Sequence, residues 1–261
     1  MTKIAICYFS YWKDIDFLNC SLKCLYKTLE KYKDTYVVNV YVFDDGRCEK
    51  QIKKKELIGN PTLIKTMFDR KGNLNGYDCI EGMFKEYENI QKKFDYDYLI
   101  KLDSDCVLNS FDYIRVAEEG LKKANISKDN LALMGTYFAS VCVVGCCQTF
   151  GKIGITAINN LFNNMNNSES IAFDILKKRV TLGYNEDKVV SVLLEMSPFV
   201  KLNIDTLPNI KGNCNAFMMP NDTNYNEYTS VAFKPNYFTT NYKWTRESSL
   251  DNMKKYVNSY V

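Results

Sequence analysis

Histidine is absent from the 261 residues. That excludes a Ser-His-Asp or Cys-His nucleophile pair, an HExxH zinc site and any imidazole proton shuttle. Acid–base chemistry therefore falls to Asp, Glu, Lys, Tyr or Cys. A divalent ion has to be held mainly by oxygen, which suits Mg, Mn or Ca better than Zn. Proline is scarce, at 5 residues, and no Pro-rich linker, low-complexity tract or internal repeat divides the chain. No apolar run approaches a membrane-spanning length, so no transmembrane segment is expected. The opening Met-Thr-Lys-Ile-Ala-Ile-Cys-Tyr-Phe is too short for a signal peptide and is soon followed by Trp-Lys-Asp. The 10 cysteines contain no Cys-x-x-Cys spacing, so neither a redox motif nor a zinc ribbon is indicated. Several lie in apolar runs, where a thiol acts as a small hydrophobe. These features read as a reduced, cytoplasmic chain, in which the Asn-x-Ser/Thr matches at Asn19, Asn125, Asn166 and Asn221 are chance.

What is present is a globular composition, 46% hydrophobic and 14% aromatic, enough for a real core. The 34 basic and 31 acidic residues are too balanced to announce a nucleic-acid partner, and none is expected. Length suits one α/β domain over 1–261.

Apolar and β-branched runs predict strands at Lys3–Phe9, Tyr36–Phe43 and Tyr98–Leu102. Leu18, Leu22, Tyr26 and Leu29 mark a helix over 17–32, and Ile80, Met83, Phe84, Tyr87, Ile90 and Phe94 one over 77–94. Residues 47–75 are basic and irregular, with turn signals at Gly59-Asn60-Pro61 and Gly72-Asn73. Ser110 is positioned to cap a helix over 111–124. Two apolar segments follow at 131–134 and 137–146, then helices over 153–165, 169–180 and 187–196. Short strands follow Lys201, and a last helix lies near 248–258. Early strand–helix–strand alternation argues α/β with a mostly parallel sheet. In such sheets ligands bind at the carboxyl ends of the strands. Here those ends carry Ser10-Tyr11, Asp44-Asp45 and Asp103-Ser104-Asp105.

The third of these carries the chemistry. Two carboxylates at i and i+2 on one strand face repel unless a cation is near, and a hard divalent ion carrying substrate phosphates is the common solution. A solvated acidic strand end is the plainer reading, since a bare Asp-x-Asp is frequent by chance. Glu186-Asp187 opens a helix, where acidic groups suit the dipole. With no histidine, a carboxylate there is also a natural general base. Gly145-Cys146-Cys147-Gln148, with Gly151 and Gly154, reads equally as a tight turn with close helix packing. The run Lys53-Lys54-Lys55 is surface, and Arg70-Lys71 is either a solvated loop or a phosphate contact. Trp244 either stacks on a ligand or anchors the tail.

Together these stretches resemble the GT-A glycosyltransferases, nucleotide-sugar enzymes with an Asp-x-Asp motif. The resemblance runs through Ile4-Ala-Ile-Cys-Tyr-Phe-Ser-Tyr11, Val42-Phe-Asp-Asp45-Gly46 and Arg70-Lys-Gly-Asn-Leu-Asn-Gly76. Leu99-Ile-Lys-Leu-Asp-Ser-Asp105 is the best-matching segment. It implies a Rossmann-like mixed, mostly parallel sheet flanked by helices, with an irregular C-terminal tail. Residues 1–110 would form a nucleotide-binding half and 111–261 an acceptor-binding half. It implies transfer of a sugar from a nucleotide-diphosphate donor, a UDP-sugar, to a hydroxyl of a glycan, lipid-linked or protein acceptor, metal-assisted by Mn or Mg and inverting. Nucleotide contacts would come from Phe9, Ser10, Tyr11, Asp44, Asp45, Arg70, Asp103 and Ser104. Metal contacts would come from Asp103 and Asp105, with Asp187, or else Glu186, as the base. The segment around Cys146-Cys147-Gln148 would line a sugar. Many metal-dependent members add a C-terminal His ligand, which this chain lacks; either Asp205, Asp222 or Asn215 would replace it, or water and diphosphate would complete the shell.

Two other readings compete. Asp103-Ser-Asp-Cys-Val107 also fits the motif of a haloacid-dehalogenase-like phosphatase, with Asp103 as nucleophile. A non-catalytic nucleotide-sugar-binding protein would keep the fold without turnover.

Overall fold

The computed structural model describes the chain except residues 69–76, 139–141, 144–145, 182–185, 217–218, 220–222, 235–244 and 261. The first half runs β1 (Thr2–Ser10), α1 (Ile15–Tyr32), β2 (Tyr36–Asp45), β3 (Thr62–Thr66), α2 (Tyr77–Phe94), β4 (Tyr98–Leu102), β5 (Cys106–Leu108) and α3 (Asp112–Lys123). Then come β6 (Leu131–Gly135), β7 (Tyr137–Phe138), β8 (Cys142–Val143), β9 (Cys147–Gly151), α4 (Lys152–Asn167), α5 (Ile171–Thr181) and α6 (Glu186–Glu195). The chain closes with β10 (Val200–Asn203), β11 (Lys211–Asn215), β12 (Tyr228–Ala232) and α7 (Arg246–Tyr260).

Ile4 to Phe9 of β1 are buried without alternation, as a strand covered on both faces requires. β1 lies third from the β3 edge of a seven-stranded sheet ordered β10-β6-β9-β4-β1-β2-β3. It pairs in parallel with β2 on one side and β4 on the other. On one face α1 contributes Leu18, Leu22 and Leu25, and α3 contributes Ile114, Ala117 and Leu121. On the other, α2, α4 and α6 bury Met83, Phe84, Ile155, Ile158, Val190 and Leu194. A second sheet, β11-β12-β5, packs with α1 and α7 around Phe17, Val107, Val231 and Met253. Among the described residues no helix is long and apolar enough to cross a membrane.

The predicted helices are all present, with no end moved by more than two residues. The Ser110 hydroxyl accepts from the Asp112 N–H at 3.0 Å, as a cap should, although Phe111 takes the N-cap position. Two strands depart from the sequence reading. Part of the irregular 47–75 stretch forms β3, an edge strand of which only Thr66 is buried, so no alternating pattern marks it. Cys147–Gly151, read as a turn, is instead a fully buried strand running antiparallel to both β4 and β6. Its glycine reflects close approach: a Cβ on Gly151 would lie 1.9 Å from the Leu131 carbonyl oxygen. The apolar 137–146 stretch supplies the short pair β7 and β8.

Candidate functional site

The chain builds β1, β2 and β3 outward in one direction, then returns to place β4 on the other side of β1. The connections leaving the carboxyl ends of β1 and β4 therefore diverge at a switch point, the place where open α/β sheets bind their ligands. Ser10 ends β1 and lies buried there, and the Ser104 hydroxyl donates to it at 3.0 Å. A tight turn, closed by the Cys106 N–H donating to the Asp103 carbonyl at 3.1 Å, carries Ser104 and Asp105 past the strand end. The Phe233 N–H then binds the Asp105 carbonyl at 2.7 Å, so the end of β12 is fixed beside the turn.

That junction brings Lys234 onto Asp103. The Lys234 ammonium donates to Oδ2, while the Lys101 ammonium, two residues before Asp103, donates to Oδ1 at 2.5 Å. Lys101 also reaches Glu186 Oε2 at 3.2 Å. Its side chain is only 2% exposed, against 38% for Lys234, so Lys101 lies sealed beneath the carboxylate and Lys234 is the more accessible of the two. Burial opposes charge on Asp103, but Lys101 and Lys234 more than offset it and hold the carboxyl well below the usual range. Burial likewise works against the Lys234 ammonium, yet Asp103 and Asp105 beside it hold its pKa well above normal.

The neighbouring carboxylates behave differently. Burial pushes Asp105 up to about 6, with Lys234 pulling it down and Asp103 adding to the rise. Its Oδ1 is buried without a hydrogen-bond partner among the described residues. Burial also pushes Glu186 up to about 7, against the pull of Lys101 and with Asp187 and Asp103 adding to the rise. Glu186 Oε1 has no partner there either. Asp187, the next residue, is less buried and still close enough to raise the Lys101 pKa. In the β4–β9 register Gln148 stands opposite Lys101, fully buried, with neither amide atom hydrogen-bonded among the described residues.

Other sequence candidates fall elsewhere. Phe9 stacks on Phe43, ring centroids 4.6 Å apart, within the apolar core. Asp44 is fully buried, where Oδ2 accepts the Ile52 N–H at 2.9 Å and so ties down the loop after β2. Asp45 lies at the same strand end but faces outward to Arg47, whose N–H it accepts at 3.2 Å. Tyr11 is half-buried just past β1, its carbonyl accepting from the Asp14 N–H. Asp205 accepts the Gly212 N–H at 2.8 Å, and Asn215 Oδ1 is buried without a partner. Arg70, Lys71, Gly145, Asp222 and Trp244 lie outside the described residues.

The expected Mn or Mg finds no ready shell here. Among the described residues no group of three His, Cys, Asp or Glu side chains converges as a metal site. Both oxygens of Asp103 are already held by ammonium groups. A divalent ion about 4 Å from an ammonium meets a repulsion of about 8 kcal/mol at an effective dielectric constant of about 20. As arranged, these residues do not fit such an ion.

Lys101 and Lys234 were not among the sequence candidates. Lys101 did leave a signal, because a lysine inside Tyr-Leu-Ile-Lys-Leu has to be paired if that strand is buried on both faces. Lys234 left none, since only the packing of β12 on β5 carries it to the turn.

No protein-family model and no curated protein matches the sequence. Solved structures do match. A glycosyltransferase involved in the glycosylation of the major capsid of PBCV-1 aligns over 97% of this chain and 98% of its own, at 10% identity and a TM-score of 0.50. An active-site mutant of LgtC aligns over 98% and 95%, at 12% identity and a TM-score of 0.52. The galactosyltransferase LgtC in complex with donor and acceptor sugar analogues aligns over 98% and 95%, at 12% identity and a TM-score of 0.49. The first two share the fold of this chain, an α/β GT-A architecture with a large, mostly parallel sheet between helices.

Proposed function

We propose that the protein is a glycosyltransferase that moves a sugar from a nucleoside-diphosphate donor, a UDP-sugar, to a hydroxyl acceptor. The observation that carries this is the cluster of lysines and carboxylates at the β1–β4 switch point of a GT-A fold. The nucleotide lies over the ends of β1 and β2, near Ser10, Tyr11 and Asp45. The Ser10–Ser104 hydrogen bond fixes the floor, and Lys234, the more accessible lysine, meets the diphosphate. The phosphatase alternative asks Asp103 to act as a free nucleophile, and both its oxygens are engaged by lysines.

Transfer in this reading is a direct displacement. The acceptor oxygen attacks the anomeric carbon, the bond from that carbon to the diphosphate oxygen breaks, and the departing charge is met by Lys234. The acceptor proton goes to Asp187, the less buried carboxylate of the pair, since Glu186 is committed to Lys101. Such a displacement inverts the configuration.

The test is turnover of a panel of nucleotide sugars, with the anomeric configuration of the product read by NMR, in the parent chain and in Asp187→Asn. The parent releases nucleoside diphosphate and forms the inverted product. The variant melts as the parent does and loses roughly a hundredfold or more in rate. Undiminished turnover in Asp187→Asn, or a retained product, removes Asp187 as base. A chain that binds the donor without turnover is the binding protein instead.

A further inference from the structure

We infer that this protein holds the diphosphate of its donor with a built-in ammonium group, that of Lys234 on Asp103, backed from beneath by Lys101, and needs no divalent ion to bind it. The inference rests on the donor reading above and adds to it the identity of the cation.

The arrangement has three parts. Lys101 is sealed in the sheet, shared between Asp103 and Glu186, and balances the strand-end charge from below. Lys234 approaches from the opposite side, on the residue that follows Phe233, whose N–H is clamped to the turn. Its ammonium spends one N–H on Asp103 and has two more donors. With its side chain 38% exposed, against 2% for Lys101, it is the more accessible lysine of the pair. Asp103 thereby changes role: it orients a lysine and does not hold a metal. A divalent ion would first have to displace Lys234 from Oδ2, and would then find a second ammonium fixed on Oδ1 with no room to retreat.

Calorimetric titration of the full chain with UDP, and with pyrophosphate as a base-free probe, tests this in chelator and in excess Mn. The two conditions should give affinities within about threefold of each other. Lys234→Gln should weaken both probes about tenfold in chelator, as loss of one charge-assisted contact implies. Lys234→Arg, which keeps the charge, should stay within a few-fold of the parent, and both variants should melt near the parent. UDP binding that appears only with Mn overturns the lysine clamp and leaves the transferase reading standing. Equal binding by parent and Lys234→Gln in chelator also overturns it. No binding of UDP under either condition overturns the clamp and the donor reading together.

Discussion

Glu186 shows how far one buried side chain can move from its chemistry in water. Its ordinary value is 4.5, and burial, only partly countered by Lys101, raises it to about 7 in the fold. Between those values the folded protein binds the proton and the unfolded chain does not. Stability from this group is therefore fully present below about 4.5 and declines as pH rises toward 7. The whole effect amounts to roughly 3 kcal/mol. We expect Glu186→Gln to flatten the fall in melting temperature across that window, in melts taken at a series of pH values. An unchanged slope in the variant would assign the pH dependence to another group, of which Asp105, moved in the same direction, is the first to examine.

At the scale of elements, the junction of β9 and α4 is where a glycine's lack of a side chain matters. A Cβ on Gly154, in the first turn of α4, would lie 2.1 Å from the Ala132 carbonyl oxygen of β6. Both neighbours are backbone in a buried strand and helix, so neither can swing aside. Gly154→Ala is expected to cost about 3 kcal/mol in denaturant unfolding. A loss under about 1 kcal/mol would mean that α4 can lift from β6 cheaply. The sequence pointed to Gly151 and Gly154 as a pair with close packing as one explanation, and the structure supplies that explanation for both. The strand between Cys147 and Gly151 was not legible, because its five residues alternate neither in polarity nor in size and end on a glycine. Its being a strand depends on β4 and β6 lying on either side of it.

For the molecule as a whole, α7 joins distant parts of the chain. Its Tyr256 hydroxyl donates to Asn109 Oδ1 and Asn226 Oδ1, each at 2.9 Å, while Asn109 in turn holds the Tyr225 and Tyr228 carbonyls. Tyr260 reaches Asn109 and Lys31, and Arg246 pairs with Asp14. This network ties the small sheet, and with it the strand that precedes Lys234, to α1. Tyr256→Phe is expected to cost about 1–3 kcal/mol, because it leaves the buried Asn109 amide oxygen with only the weak Cys24 thiol as donor. If the small sheet positions Lys234, the same variant should weaken UDP binding more than it lowers the melting temperature would suggest. Unaltered UDP affinity in a destabilised Tyr256→Phe protein would show that the sheet holds its place without that anchor.

The sequence by itself determined the class of fold, the helices and the three acidic or hydroxyl-bearing strand ends. All of these follow from local pattern: apolar runs for strands covered on both faces, helical spacing for the layers, and polar residues where a strand stops. It also set the absence of imidazole and hence the dependence on carboxylates and lysines. What only the tertiary structure decided is which charges meet. Asp44 and Asp45 are adjacent in sequence, yet one turns into a loop and the other outward to Arg47, because successive side chains on a strand take opposite faces. Lys234 reaches Asp103 across 131 residues, through a strand pairing that no local pattern encodes. Electrostatic partnership depends on distance and burial in three dimensions, and for that reason the aspartate pair was readable in the sequence while the meeting of Lys101 and Lys234 on Asp103 was not.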